Sequence, residues 1–203
     1  MAAPALQDAA PRRPELTLPD AEAAELRAAY AAAGAILEYG SGGSTVLAGE
    51  MAGKRVFSVE SDAGWVAMMQ AWFAANPPQS PVAMHHADIG PTRDWGHPAG
   101  TDRVRHWPGY ALSVWDRTDF VHPDVVLVDG RFRVACALAT LFRIVRPVRL
   151  MFDDYVPRKA YHAVEALAGA PRIVGRMAVF DLVPTPVPAD RLAWIIPQFI
   201  RPQ

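Results

Sequence analysis

The chain has 203 residues, 51% of them hydrophobic and 20% charged, with 20 Lys and Arg against 21 Asp and Glu and a formal net charge of −1. That length supports one ordinary domain burying about 70% of its unfolded surface, with no need of disulfide or metal staples. The balanced charge excludes the basic footprint of a nucleic-acid binder. No apolar run reaches the roughly 18 residues of a spanning helix, and the start lacks the apolar core of a secretory signal, so a cytoplasmic protein without a membrane partner is expected.

Residues 1–19, rich in Ala and Pro with Arg12 and Arg13, predict a flexible arm, and residues 20–203 a single domain. Asp20 is placed to cap a helix over 21–33, with Leu26 and Tyr30 one turn apart on its inner face and Gly34 ending it. Strand and helix then alternate: strand 35–39, helix 44–51, strand 55–59, and helix 63–75 with Trp65, Met68, Met69, Trp72 and Phe73 as a core stripe. Strands follow at 82–86 and 125–128, then a helix at 134–144 that carries the sole cysteine, Cys136, as a buried hydrophobe. A strand at 149–152 and a helix at 158–167 come next. The end of the chain breaks the alternation, because the apolar runs 178–183 and 192–199 are separated only by the proline-rich 184–188. They are expected to pair as an antiparallel hairpin. The predicted fold is α/β, a mostly parallel seven-stranded sheet with helices on both faces.

The stretch Ile36-Leu37-Glu38-Tyr39-Gly40-Ser41-Gly42-Gly43-Ser44-Thr45 couples the first strand to a glycine-dense turn entering a helix. Such a turn brings backbone N–H groups against a ligand without a Cβ in the way. A phosphate site avoids negative charge, so Glu38 at its mouth points to a cationic or hydroxyl-rich ligand. Acids also follow the other strands: Glu60 the second, Asp88 the third, Asp129 the fourth, Asp153 and Asp154 the fifth. Ligands of open parallel sheets bind outside these carboxyl ends. Glu60, 22 residues after Glu38, is suitably placed for the two hydroxyls of a ribose, and Asp88 with Ile89 for the amine and ring of an adenine.

With these residues the chain resembles the class I S-adenosylmethionine-dependent methyltransferases, from about residue 20 to the end. The resemblance implies a Rossmann-like methyltransferase fold, S-adenosylmethionine as cofactor, and methyl transfer to a small-molecule acceptor. Its cofactor site would comprise Glu38, Gly40, Ser41, Gly42, Gly43, Ser44, Glu60, Ser61, Asp88, Ile89 and Asp129, with Glu38 near the ammonium and sulfonium. Ser44 stands where such loops often have a third glycine. A narrower likeness, carried by Val128-Asp129-Gly130-Arg131 and Phe152-Asp153-Asp154-Tyr155, is to metal-assisted O-methyltransferases. It implies Mg²⁺ held by Asp129, Asp153 and Asp154 against an acceptor hydroxyl; the same aspartates could instead line a metal-free pocket, with Asp154 capping a helix.

The long connection 89–123 carries Trp107 and Tyr110 and is expected to contact the acceptor. Asp129 and Tyr155 are candidate catalytic groups, and Arg131 suits an acceptor carboxylate or phosphate. No Asp/Asn-Pro-Pro-aromatic segment follows the fourth strand, which favours an oxygen over a nitrogen acceptor. An NAD-dependent oxidoreductase is the competing enzyme reading, opposed by Thr45 at the third glycine position. A catalytically silent methyltransferase-like binding module is the other. The exposed sheet edge and the aromatic insertion would allow a homodimer.

Overall fold

Helix and strand alternate from Asp20 to the strand ending at His86 in the structure, a computed structural model that describes residues 12–202. The predicted flexible arm falls outside the described residues over positions 1–11. The rest of it, 12–19, lies against the domain, with Pro14 and Leu18 buried and an Arg13–Glu50 ion pair. Leu16 and Leu18 provide the reason, since they join the apolar cluster on one face of the sheet.

Helix α1 (Asp20–Ala32) starts behind Pro19 rather than behind an Asp20 cap, and Asp20 serves instead as a first-turn acid favoured by the helix dipole. Strand β1 (Ala35–Tyr39), helix α2 (Gly43–Glu50), strand β2 (Arg55–Glu60), helix α3 (Ala63–Ala75) and strand β3 (Val82–His86) follow. The 89–123 connection contains a two-residue ladder, β4 (Thr92–Arg93) with β5 (His97–Pro98), and the short helix α4 (Pro108–Leu112). Then come β6 (Val125–Val128), α5 (Arg133–Arg143), β7 (Val148–Phe152), α6 (Glu165–Ala168), β8 (Arg172–Val174), β9 (Met177–Leu182) and α7 (Leu192–Gln198).

The sheet runs in the order β3-β2-β1-β6-β7-β9-β8, parallel except for β9, which is antiparallel to both neighbours. Both faces are covered. Leu37, Tyr39, Val126 and Val128 point into one core, while Ile36, Val125 and Leu127 point into the other, as the period-2 alternation of a doubly buried strand requires. The chain reverses direction of travel across the sheet between β1 and β6, so the carboxyl ends of these two strands form the switch point where ligands bind.

The seven-stranded sheet and an antiparallel hairpin near the end of the chain are present, and the expected strand 178–183 is one arm of the hairpin, but the other arm differs. The hairpin's members are β8 and β9, joined at Gly175 and Arg176, and the run 192–199 is helix α7 with Pro197 in its last turn. That run holds Leu192, Trp194, Ile195 and Ile196 without strict alternation, and only the helical spacing puts Ile195 and Gln198 together on the buried side. The expected helix at 158–167 is a 3-10 turn over Lys159–Val164 running into α6.

Candidate active site

The turn after β1 is held from below. Glu38 is fully buried, where it accepts hydrogen bonds from Tyr30 Oη (2.6 Å), Thr45 Oγ1 (2.5 Å) and Ser58 Oγ (3.2 Å). Burial raises its pKa, and the hydroxyl donors oppose that. Thr45 Oγ1 in turn accepts the Gly42 N–H at 3.0 Å. Glu38 therefore fixes the shape of the turn from beneath, through Thr45 and Gly42. Its place one residue before the end of a strand with both faces covered, opposite Ser58 in the register, keeps it from the surface. Gly40, at φ +100°, packs on the backbone of Gly130, where a Cβ would stand 2.7 Å from the Gly130 nitrogen. Gly42 faces open space, Gly43 lies under the backbone of Glu15 and Leu16, and Ser44 is buried in the first turn of α2. Trp65, which the sequence reading assigned to core, donates its indole N–H to the Ser41 carbonyl at 2.8 Å and walls the turn from the side of α3.

Glu60 stands at the end of β2, beside the turn. Its Oε1 accepts the N–H groups of Ser61 (2.6 Å) and Asp62 (3.0 Å), while Oε2 takes only a long 3.3 Å bond from the Ser41 N–H. The β4–β5 flap folds over this carboxylate: Ser61 Oγ donates to the Gly96 carbonyl at 2.9 Å. Asp88 remains at the surface, where it accepts the Gly90 N–H at 2.9 Å and pairs with Arg103 at 3.3 Å; the Gly90 N–H holds its pKa low. Ile89 beside it is buried.

Beyond the flap a cleft of about 650 Å³ opens over the ends of β6 and β7. Asp129, Asp153 and Asp154 come together there, each offering a carboxylate oxygen within 4.8 Å of the others. Three arginines balance them. Arg133, 3% exposed, lies 3.2 Å from Asp129 and 3.4 Å from Asp154, and donates to the carbonyls of Gly130, Asp153 and Asp129. Arg176 grips both oxygens of Asp153, at 3.1 and 2.7 Å, and Arg158 reaches Asp154 at 3.1 Å. Burial, opposed by Arg133 and reinforced by the neighbouring carboxylates, pushes the Asp129 carboxyl from 3.8 up to about 7.

Other expected site residues fall elsewhere. Tyr155 is buried, donates its hydroxyl to Glu165 at 2.7 Å and stacks on His162 with ring centroids 4.6 Å apart, so it is not a group of the cleft. Trp107 and Tyr110 are also buried; Trp107 donates to the Ile89 carbonyl at 3.2 Å, and the Tyr110 hydroxyl accepts the Arg131 N–H at 3.2 Å. They anchor the insertion because large aromatic surfaces gain more by joining the core than by lining an open cleft. Arg131, by contrast, does line it, with Arg93, Trp95 and His97 of the flap and Thr17 of the arm. Three carboxylates are the right donors for Mg²⁺, but the charge environment does not suit a resident divalent cation. Each carboxylate already faces a guanidinium, and Asp153 has both oxygens so engaged. Of the groups that sequence reasoning missed, Arg133 was open to detection four residues after Asp129. Arg176 was not, since the hairpin turn that carries it had been placed elsewhere.

The strand order with a single reversed strand near its edge, and the acids at its strand ends, define a class I methyltransferase fold. A methyltransferase-like protein from Silicibacter pomeroyi is 56% identical, with a TM-score of 0.91 over 94% of this chain and 99% of that one. The chain belongs to this methyltransferase-like family. The O-methyltransferase TomG from Streptomyces achromogenes, involved in tomaymycin synthesis and solved with S-adenosylmethionine, is similar in fold at 16% identity and a TM-score of 0.52, over 84% of this chain and 82% of TomG. No protein-family model and no curated protein matches the chain. Among the described residues no helix is long and apolar enough to cross a membrane.

Proposed function

We propose that the chain transfers a methyl group from S-adenosylmethionine to an oxygen of a small-molecule acceptor, with Asp129 as general base. The observation that carries this reading is the place of Asp129. Its backbone N–H donates to the Tyr39 carbonyl at 2.9 Å, at the foot of the glycine turn, while its side chain opens into the cleft with a pKa near 7. A base poised near neutral pH accepts a hydroxyl proton without being permanently protonated or too weak. One group thus adjoins both the cofactor wall and the acceptor space.

The turn Gly40 to Ser44 would border the methionine part of the cofactor, Glu60 and Ser61 the ribose, and Asp88 with Ile89 the adenine. When bound, S-adenosylmethionine supplies a methyl carbon made electrophilic by its sulfonium. The donor set fits this group. Glu60 Oε2 has accepting capacity left, Gly42 faces open space, and Asp88 is exposed beside an apolar Ile89. The work of the protein is then orientation and water exclusion, to which Trp65 and the flap contribute as walls. Asp129 takes the acceptor proton, and Arg133 at 3.2 Å keeps a usable fraction of its carboxyl ionised. The family relationship and the fold-level likeness to TomG support methyl transfer, and the arginine-balanced aspartates favour a route without Mg²⁺.

The test is formation of S-adenosylhomocysteine by the full chain, given S-adenosylmethionine and a panel of hydroxylated acceptors. Acceptor-dependent product is expected, reduced about 10²–10⁴-fold in Asp129→Asn, the usual worth of a general base. Cofactor binding with no turnover on any acceptor would point to the binding-module reading instead.

A further inference from the structure

The cleft does not divide its charge evenly. Five arginines and four aspartates line it. Arg133, Arg158 and Arg176 are engaged with Asp129, Asp153 and Asp154, which leaves Arg131 and Arg93 against Asp94 alone. Arg131 has no carboxylate partner among the described residues, and its buried Nε has no hydrogen-bond partner there at all. A buried guanidinium nitrogen left unmatched is costly, so such a group marks a place where a ligand completes the structure.

Its backbone, in contrast, is pinned. The Arg131 N–H donates to Tyr110 Oη at 3.2 Å and its carbonyl accepts from Cys136 Sγ at 3.4 Å. Next in the chain, Phe132 adopts a left-handed conformation, φ +52°, that a bulky side chain resists. Packing holds it there, with its ring between Trp107 (centroids 5.7 Å apart) and Tyr110 (5.4 Å). The strained step turns the chain so that the fixed Arg131 presents its side chain to the cleft. From the flap, Arg93 adds a second cation, steadied by His97 Nδ1 at 3.3 Å.

We propose, resting on the methyl-transfer reading, that the acceptor carries an oxyanion, a carboxylate or a phosphate, bound by Arg131 with Arg93 and His97 across the cleft. A planar guanidinium fork suits either group bidentately. Burial and the nearby Arg133 disfavour the cationic form of Arg131, and an incoming anion relieves both. The cofactor's own methionine carboxylate is the other source of the same chemistry, and the test separates the two.

Ligand-observed NMR titrations of the full chain would use benzoate, phenyl phosphate and the neutral benzamide, each with and without saturating S-adenosylhomocysteine. At least one of the two anions is expected to bind about tenfold more tightly than benzamide, to do so with S-adenosylhomocysteine present, and to lose that preference in Arg131→Met. Circular dichroism checks the variant's fold; were it unfolded, Arg93→Met at the exposed flap carries the same comparison. Equal binding of benzamide, or an anion preference that survives the substitution, overturns the proposal. A preference abolished by S-adenosylhomocysteine assigns the arginine to the cofactor and overturns it as well. Wild-type protein that binds no S-adenosylhomocysteine would fail the methyl-transfer reading itself, which keeps the two failures distinct.

Discussion

Gly96 stands directly over the Glu60 carboxylate: a Cβ at position 96 would come within 2.9 Å of Glu60 Oε1 and 2.6 Å of Ser61 Oγ. The residue is at φ +67°, and its neighbour Trp95, 89% exposed, is also left-handed at φ +62°. Gly96→Ala adds both a clash and backbone strain, so a loss of about 1–3 kcal/mol is expected in thermal denaturation. Trp95→Gly removes strain at a solvent-facing position and is expected to leave stability unchanged or slightly higher. Equal losses in both variants would show that the flap is not held by backbone geometry.

The buried Glu38 is the next point of leverage. Glu38→Ala strips the acceptor from Tyr30, Thr45 and Ser58 at once. Leaving buried donors unmatched costs about 1–3 kcal/mol each before relaxation, so a loss on the order of 3 kcal/mol in urea denaturation is expected. Glu38→Gln keeps a carbonyl oxygen for one donor and should lose less. A near-neutral Glu38→Ala would place the organising contacts of the glycine turn elsewhere.

Asp129 gives a pH signature. Its carboxyl is raised from 3.8 to about 7, so between those values the folded chain holds a proton that the unfolded chain has released. This group's contribution to stability is therefore complete below pH 4 and is lost as pH rises through about 7. Asp129→Asn, which cannot ionise, is expected to gain in Tm relative to the parent as pH goes from 5 to 8. In activity, kcat/KM of the parent should climb with pH through about 7, where Asp129 is half ionised, and level off above it. A pH-independent Tm difference and a flat rate profile would contradict the assignment.

These outcomes depend on features that were unequally visible in the sequence. Strands 35–39 and 125–128 lie where their apolar runs place them, because a strand buried on both faces leaves a nearly continuous hydrophobic signature, and the half-buried edge strand 82–86 also lies where expected. The second arm of the terminal hairpin was misplaced for a physical reason, while 178–183 is strand β9. Strand β8 is three residues long, mostly exposed and headed by Arg172, so it carries no burial signal, whereas 192–199 is apolar enough to imitate a strand. The acids at the strand ends are in place, but their meaning depends on side chains brought in from afar. Arg176 arrives on the β8–β9 turn, and Gly96 on a flap 36 residues after Glu60. Tyr155, Trp107 and Tyr110 were attractive as chemistry in the sequence, and their burial turned them into anchors.

Metal dependence separates the two ways of reading the aspartate cluster. With Arg133, Arg158 and Arg176 seated on Asp129, Asp153 and Asp154, added Mg²⁺ is expected to change neither Tm nor S-adenosylhomocysteine formation, and EDTA to leave both intact. Stimulation by Mg²⁺ that EDTA reverses would show that the arginines yield to a cation during turnover.

The central claim, a nucleoside-cofactor site built on the glycine turn and Glu60, is tested most directly by calorimetric titration of the full chain with S-adenosylhomocysteine. One-to-one binding is expected, weakened at least about tenfold in Glu60→Ala, since loss of a charged hydrogen-bond acceptor costs about 1.5–3 kcal/mol. No heat from the folded parent, or affinity unchanged in a folded Glu60→Ala, would contradict it.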